Sequence, residues 1–522
     1  MTAHRFFAHA VLSIFFGLLA TISAAAQSPT QDAGLGSVRF PTSARSQEGQ
    51  GHFLRGLAAL HSFWYPKALE EFRAAQTIEP DFAMAYWGEA MAHNHPVWGD
   101  PQDTQAGRQV LARLPDRLNI TPRERAYLDA VRALYGPGEK PARDRAYAAT
   151  MERIYREYPD DLEAAAFHAL ALLGLAYSGG SEGGAPRDAA ALRIQMQAAA
   201  IAEEVFRREP NHPGAAHYVL HAFDDPDHAV LALPAARRYA EIAPAAPHAL
   251  HMPSHIFLQL GMWPEVVSSN RASWAASTNE KVPDIHSLHW LLYGMLQLRR
   301  ADETQALLAT IGETLDKVPK DDVRNQVYGR FIQATMAATY LVETGAWNQA
   351  PELLGPAATA AIPQAGSAGP YQAFVALAQA PAVFARGFAA AITGSGDAQQ
   401  AITSLNGIRQ QVAGAPIPFA AGMAPVLEIQ ALEIAAAASA RHDRLDEAIA
   451  TVQQATALEE ALPVPPGPPP LIKPSHELLG EILLRAGRHV EAAQAFAMAL
   501  FRHPGRALSV QGAAKAAKRS AP

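Results

Sequence analysis

From Gly51 onward the apolar positions return every three or four residues and never settle into strict alternation. The pattern predicts helix after helix and no strand. Helices are expected over 51–65, 66–78, 82–92, 121–134, 141–157 and 161–177, each broken by proline, glycine or a polar cluster. The run SGGSEGGAPRD at 178–188 is a glycine-rich insertion. It does not end in Gly-Lys-Ser/Thr and follows no strand, so it is not a phosphate loop. Between 360 and 420 the chain is Ala/Gly-rich and the helix register blurs. LPVPPGPPPLIKP at 462–474 predicts an extended, stiff connector. Residues 505–518 predict a closing basic amphipathic helix that exposes Lys515, Lys518 and Arg519.

A longer period overlies the helical one. Pro210 and Pro244 are 244 − 210 = 34 residues apart, and the same step carries His217 onto His251, His221 onto His255 and His255 onto His289. Gly56, Ala68, Phe72, Ala75 and Pro80 recur in kind as Gly480, Ala492, Phe496, Ala499 and Pro504, while Gly261 and Gly345 mark turns between paired helices. Small residues let two helices approach, the aromatic fills the wedge between them, and proline ends the second helix. These positions resemble the tetratricopeptide repeat superfamily, whose unit is a 34-residue helix–turn–helix. AMAYWGEAMAHNHP, HALHMPSHIFLQLG and KPSHELLGEILL are similar to segments of exported bacterial tetratricopeptide proteins that have no assigned activity. The resemblance implies an all-α, right-handed α-solenoid over 49–461, the connector at 462–474, and a C-terminal repeat with its capping helix at 475–519. It also implies that positions 2, 5 and 9 of each first helix, helix A, face the concave groove. With position 1 three residues after the closing proline, His217 and His251 take position 5, His221, His255 and His289 position 9, and His248 position 2.

Residues four apart share one helix face. HxxxH therefore offers two imidazoles to one cation, and two such helices packed about 8–10 Å apart can bring four together. His217, His221, His251 and His255 are the candidate ligands, with Zn²⁺ or Cu²⁺ the divalent ions best suited to imidazole. His248 and His289 are further groove residues, as are Glu477 and Glu481 at positions 5 and 9 of the last repeat. Glu89 and His93 form another i, i+4 pair, and Asp224 and Asp225 can hold an imidazole from behind. The plainer reading is a polar concave face that hydrogen-bonds a peptide. His52, His61, His168, His212, His228 and His476 read as ordinary surface or core histidines, and Phe63-Trp64-Tyr65 with Tyr86-Trp87 as repeat core.

Residues 1–26 have the form of a secretory signal, with Arg5, an apolar run from Ala10 to Leu19, and Ala24-Ala25-Ala26 before the cleavage point. Residues 27–48 read as a flexible leader. The expectation is an exported, periplasmic protein with no membrane span once the signal is cleaved. The chain contains no cysteine, which excludes disulfides, thiolate metal sites and cysteine nucleophiles. A net charge of −7, with no strongly basic region, argues against a nucleic-acid partner. HExxH is absent, and the one GxSxG string, GGSEG at 179–183, lies in the glycine-rich insertion and follows no strand. Three functions follow: a solenoid that binds a protein or peptide in its groove and carries a histidine-rich metal site, a metal-dependent enzyme with a His-ligated Zn or Cu centre, or a metal-free periplasmic assembly scaffold.

Overall fold

The computed structural model describes residues 34–97, 102–115, 117–177, 188–278, 284–359, 372–415 and 418–520. Residues 1–26, expected as a secretory signal, and residues 178–187 of the glycine-rich insertion lie outside the described residues. The described chain is all α, an α-solenoid of tetratricopeptide-like helix pairs, with no β-strand among the described residues. Helices Pro122–Leu134, Lys140–Glu157 and Leu162–Tyr177 fall where the periodicity puts them, and the chain closes on helix Ala507–Ser520.

Two local features make the repeat. The first is the turn from helix A to helix B. Phe63, Gly261, Arg299, Asp443 and Gly487 each adopt a left-handed conformation, with φ of 53°, 68°, 61°, 61° and 75°. Each stands two residues after one helix ends and two before the next begins. The second is the wedge. The Phe72 ring lies so close to Gly56 and Gly88 that neither has room for a Cβ, and Phe496 does the same to Gly480 and Gly512. Glycine in helix A of one unit and of the next thus admits the aromatic of the intervening helix B.

The interior of the superhelix is filled. Residues 34–46, expected as part of a flexible leader, pack into it. Leu35, Val38 and Phe40 are buried, Ser37 N donates to Asn211 O at 2.9 Å and Ala245 N to Gly34 O at 2.9 Å. Phe40 sits edge-on to Phe53 and Tyr127 with centroids 5.3 and 4.9 Å apart. Its apolar side chain, not the polar composition around it, decides where the segment goes. The connector is non-helical, with bends at 466–468 and 470–473, and Gly467 lies against the Trp290 ring where no Cβ fits. The last repeat folds back on the middle of the chain: Trp263 Nε1 donates to Gly505 O, and Ala507 N to Gln297 Oε1, each at 2.9 Å. Gln372–Thr393 and Ala420–Arg441 are long and apolar enough to cross a membrane, a feature the sequence reading passed over, and 72% and 61% of these stretches is buried inside the protein.

Candidate metal centre

The left-handed turn residue gives the units that turn at Gly261, Arg299 and Gly487 a common origin. His251 lies ten residues before its turn (261 − 251), His289 ten before (299 − 289) and Glu477 ten before (487 − 477). His255 and Glu481 lie six before theirs, and His248 and His286 thirteen before. His289 is therefore the counterpart of His251 and not, as the 34-residue step implies, of His255. Helix Pro247–His251 and helix Ile285–Gln297 start 285 − 247 = 38 residues apart, so four extra residues precede the later one.

The histidines fall into two sets of three: His217, His221 and His248, and then His251, His255 and His286. Within each set the candidate ligand atoms lie within 4.8 Å of one another. Each set takes two residues one turn apart on one helix A and a third from the second position of the next helix A. The four predicted ligands thus do not converge on one point, because neighbouring A helices are rotated by the superhelical twist. Pro253 adds to the separation. Lacking an N–H, it splits its helix A into Pro247–His251 and Pro253–Gln259, with Met252 at the joint.

In the first set, His217 Nε2 stands 3.0 Å from both His221 Nε2 and His248 Nε2. His217 Nδ1 donates to the main-chain oxygen of His61 at 2.7 Å, so its Nε2 presents a lone pair inward. In the second set, His251 Nε2 and His255 Nε2 are 3.1 Å apart. His251 Nδ1 donates to Asn270 Oδ1 at 2.6 Å, and the amide is oriented by Asn270 Nδ2 donating to Val266 O at 2.8 Å. His255 Nδ1 donates to Asp224 Oδ2 at 2.9 Å, whose other oxygen accepts from Gln259 Nε2 at 2.6 Å. Asp224 thus stands behind an imidazole as anticipated, whereas Asp225 pairs with His228 at 2.7 Å. The His286 ring completes the set, 4.7 Å from His251 between centroids.

Burial and the neighbouring imidazoles push His217, His221, His248 and His251 well below the ordinary histidine value. Burial, then His286, lowers His255 to about 3. Phe63, read from sequence as repeat core, covers the first set: its centroid is 4.4 Å from His217, and it stacks on His221 and His248 at 5.6 and 5.9 Å. A left-handed backbone costs a bulky residue about 1–3 kcal/mol, so packing must hold this ring in place. Trp290 covers the second set, stacked 4.4 Å from His255 and edge-on to His251 at 5.0 Å.

The other candidates lie elsewhere. His289 is buried but belongs to neither set. Glu89 is held by Arg73 at 2.8 Å, Gln76 at 2.7 Å and Arg113, and the charged groups facing His93 are Asp103, Glu89, Arg73 and Arg113. Glu477 and Glu481 do not reach the histidines, because the chain supplies them with its own cations. Lys473 Nζ is 3.0 Å from Glu477 and 2.6 Å from Glu481, and Arg506 is 2.9 Å from Glu477. A third group, His61, Glu163 and His212, is a buried hydrogen-bond node. His61 Nε2 faces Glu163 at 2.7 Å and His212 Nε2 faces it at 3.3 Å. Ala215 N donates to His212 Nδ1 at 3.0 Å, which turns that ring's N–H toward the carboxylate. Burial alone would raise Glu163, but the two imidazoles outweigh it and hold it below the usual carboxylate range. His286 is the clustered histidine that the sequence pattern did not single out, though it is the second residue of its helix, as His248 is of its own.

No protein-family model matches the chain, and no curated protein does. Among solved structures it is similar to the crystal structure of the P58(IPK) TPR domain, at 13% identity over 90% of this chain and 98% of that one, TM-score 0.23. It is also similar to yeast Tom70, at 11% identity over 91% and 89%, TM-score 0.36. An IFIT1 monomeric mutant with Gppp-AAAA matches at 12% identity over 87% and 90%, TM-score 0.37. These superpositions are loose, and the repeat architecture rests on the chain's own turns and wedges.

Proposed function

We propose that this protein is a metalloprotein that holds transition-metal ions in two adjacent three-histidine centres enclosed by a helical-repeat solenoid. One observation carries the reading. Each set brings three imidazoles together with their candidate ligand atoms within 4.8 Å of one another, and in the second set Asn270 and Asp224 hold the Nδ1 atoms of His251 and His255 while the two Nε2 atoms face each other at 3.1 Å. Nitrogens bound tetrahedrally to one ion stand about 3.3 Å apart, given metal–nitrogen bonds of about 2.0–2.1 Å. Three protein nitrogens per ion leave a coordination position open, as a metal-dependent enzyme requires.

Elemental analysis of the full chain, produced without a histidine tag and loaded with Zn²⁺ or Cu²⁺, tests the proposal. Two ions per chain are expected. Replacing His251 and His255 together by alanine removes one, and replacing His217 and His221 removes the other. A folded chain that retains no metal after dialysis sinks the reading.

Partner binding stands as a second role, on a different surface. The groove is occupied by residues 34–46 and by the connector, whereas Val490, Phe501 and Val510 of the last repeat are 65%, 75% and 47% exposed. Export to the periplasm is part of the proposal, and fractionation of cells expressing the full chain tests it.

A further inference from the structure

We propose that the two centres act as one binuclear copper site that takes up dioxygen between the ions. The inference rests on the metal reading above and specifies its metal and ligand.

The donor set points to copper. All six side chains are neutral imidazoles, the chain has no thiol, and neither set includes a carboxylate. At such a site the divalent series favours Cu²⁺ over Zn²⁺, and three imidazoles also satisfy Cu⁺.

The placement of the sets points to a shared ligand. His248 of the first set and His251 of the second lie one turn apart on the same helix A, with ring centroids 6.3 Å apart. The partly exposed members are His248, His255 and His286, drawn from both sets. The rings of Phe63 and Trp290 pack against them, Phe63 on His248 and Trp290 on His255 and His286. In the uptake step each Cu⁺ gives one electron to dioxygen. The O₂ becomes a bridging peroxide, both ions become Cu²⁺, and no proton or further reductant enters. Release of O₂ returns both electrons to the copper.

The test uses the full chain, loaded anaerobically with Cu⁺, with copper content, oxygen consumption and electron paramagnetic resonance measured before and after air is admitted. Two copper ions per chain, one O₂ consumed for each pair, and a resonance signal far smaller than the copper content are expected, because the bridge couples the two spins. His286→Gln and, separately, His248→Gln should each leave a single copper ion, abolish uptake and restore a full signal from the copper that oxidises. Folding of both variants is checked by circular dichroism. Two bound coppers that give a full uncoupled signal, or no oxygen uptake, overturn the binuclear proposal and leave the metal reading standing. Tight binding of Zn²⁺ that excess copper does not displace has the same consequence. No bound metal of any kind overturns both.

Discussion

His251 and His255 in the middle of the chain and Glu477 and Glu481 near its end occupy the same two positions of the same repeat, ten and six residues before a left-handed turn. Both pairs carry groups that can accept a proton or bind a cation. What answers them differs. The C-terminal pair meets Lys473 and Arg506, and Arg506 is fully buried between Glu477 at 2.9 Å and Glu343 at 2.7 Å. The histidine pair meets more histidine. At the end of the chain the positive charge comes from its own side chains; in the middle, on the metal reading proposed above, it would come from an ion.

The comparison breaks most visibly at Arg506. Arg506→Met strands two buried carboxylates and should cost about 3–5 kcal/mol, read as a lower urea midpoint. An unchanged midpoint would mean that the network contributes nothing. Next in size is the metal itself. Ligand at about a hundredfold excess over Kd stabilises the native state by about 2.7 kcal/mol. Copper should raise the Tm of the natural chain and raise it less after His251→Ala with His255→Ala.

Acid sharpens the contrast. Burial would raise Glu477, but Arg506 and Lys473 outweigh it and hold the carboxyl below its usual range. A carboxylate depressed in the folded state contributes stability that is complete above its unfolded value of about 4.3 and is lost as pH falls toward the folded one. Glu477→Gln should therefore cost most at neutral pH and progressively less below about pH 4.3, measured by urea unfolding across that range. Smaller still is Gly467→Ala. The new methyl meets the Trp290 ring, and the overpacking should cost about 1–3 kcal/mol with a shift in tryptophan emission. The smallest effect belongs to His289→Gln, which should leave metal content unchanged. A lost ion there would show that the two sets are drawn wrongly.

The helices, the repeat and four of the six clustered histidines were legible because each rests on local spacing: apolar residues at three and four, prolines at thirty-four, imidazoles at four. The division into two sets was not. It depends on the twist between neighbouring units and on a four-residue insertion before Ile285 that moves His286, not His289, into the third place. Contacts across the superhelix were also out of reach. Nothing near His217 in sequence announces that its Nδ1 will find the main-chain oxygen of His61, 156 residues away. Nor does the polar composition of residues 34–46 reveal that Phe40 anchors them among Phe53, Trp87 and Tyr127.

Each centre straddles a boundary between repeats, since its third imidazole comes from the following unit. In a quasi-one-dimensional array, stability divides into terms within units and terms between neighbours. An ion bound this way adds to the second kind alone. It acts as mortar between courses and leaves the bricks unchanged: stripping it loosens the joints at 221–248 and 255–286 without melting any single hairpin. Amide exchange should then quicken at those two seams first, in step with the loss of the ions.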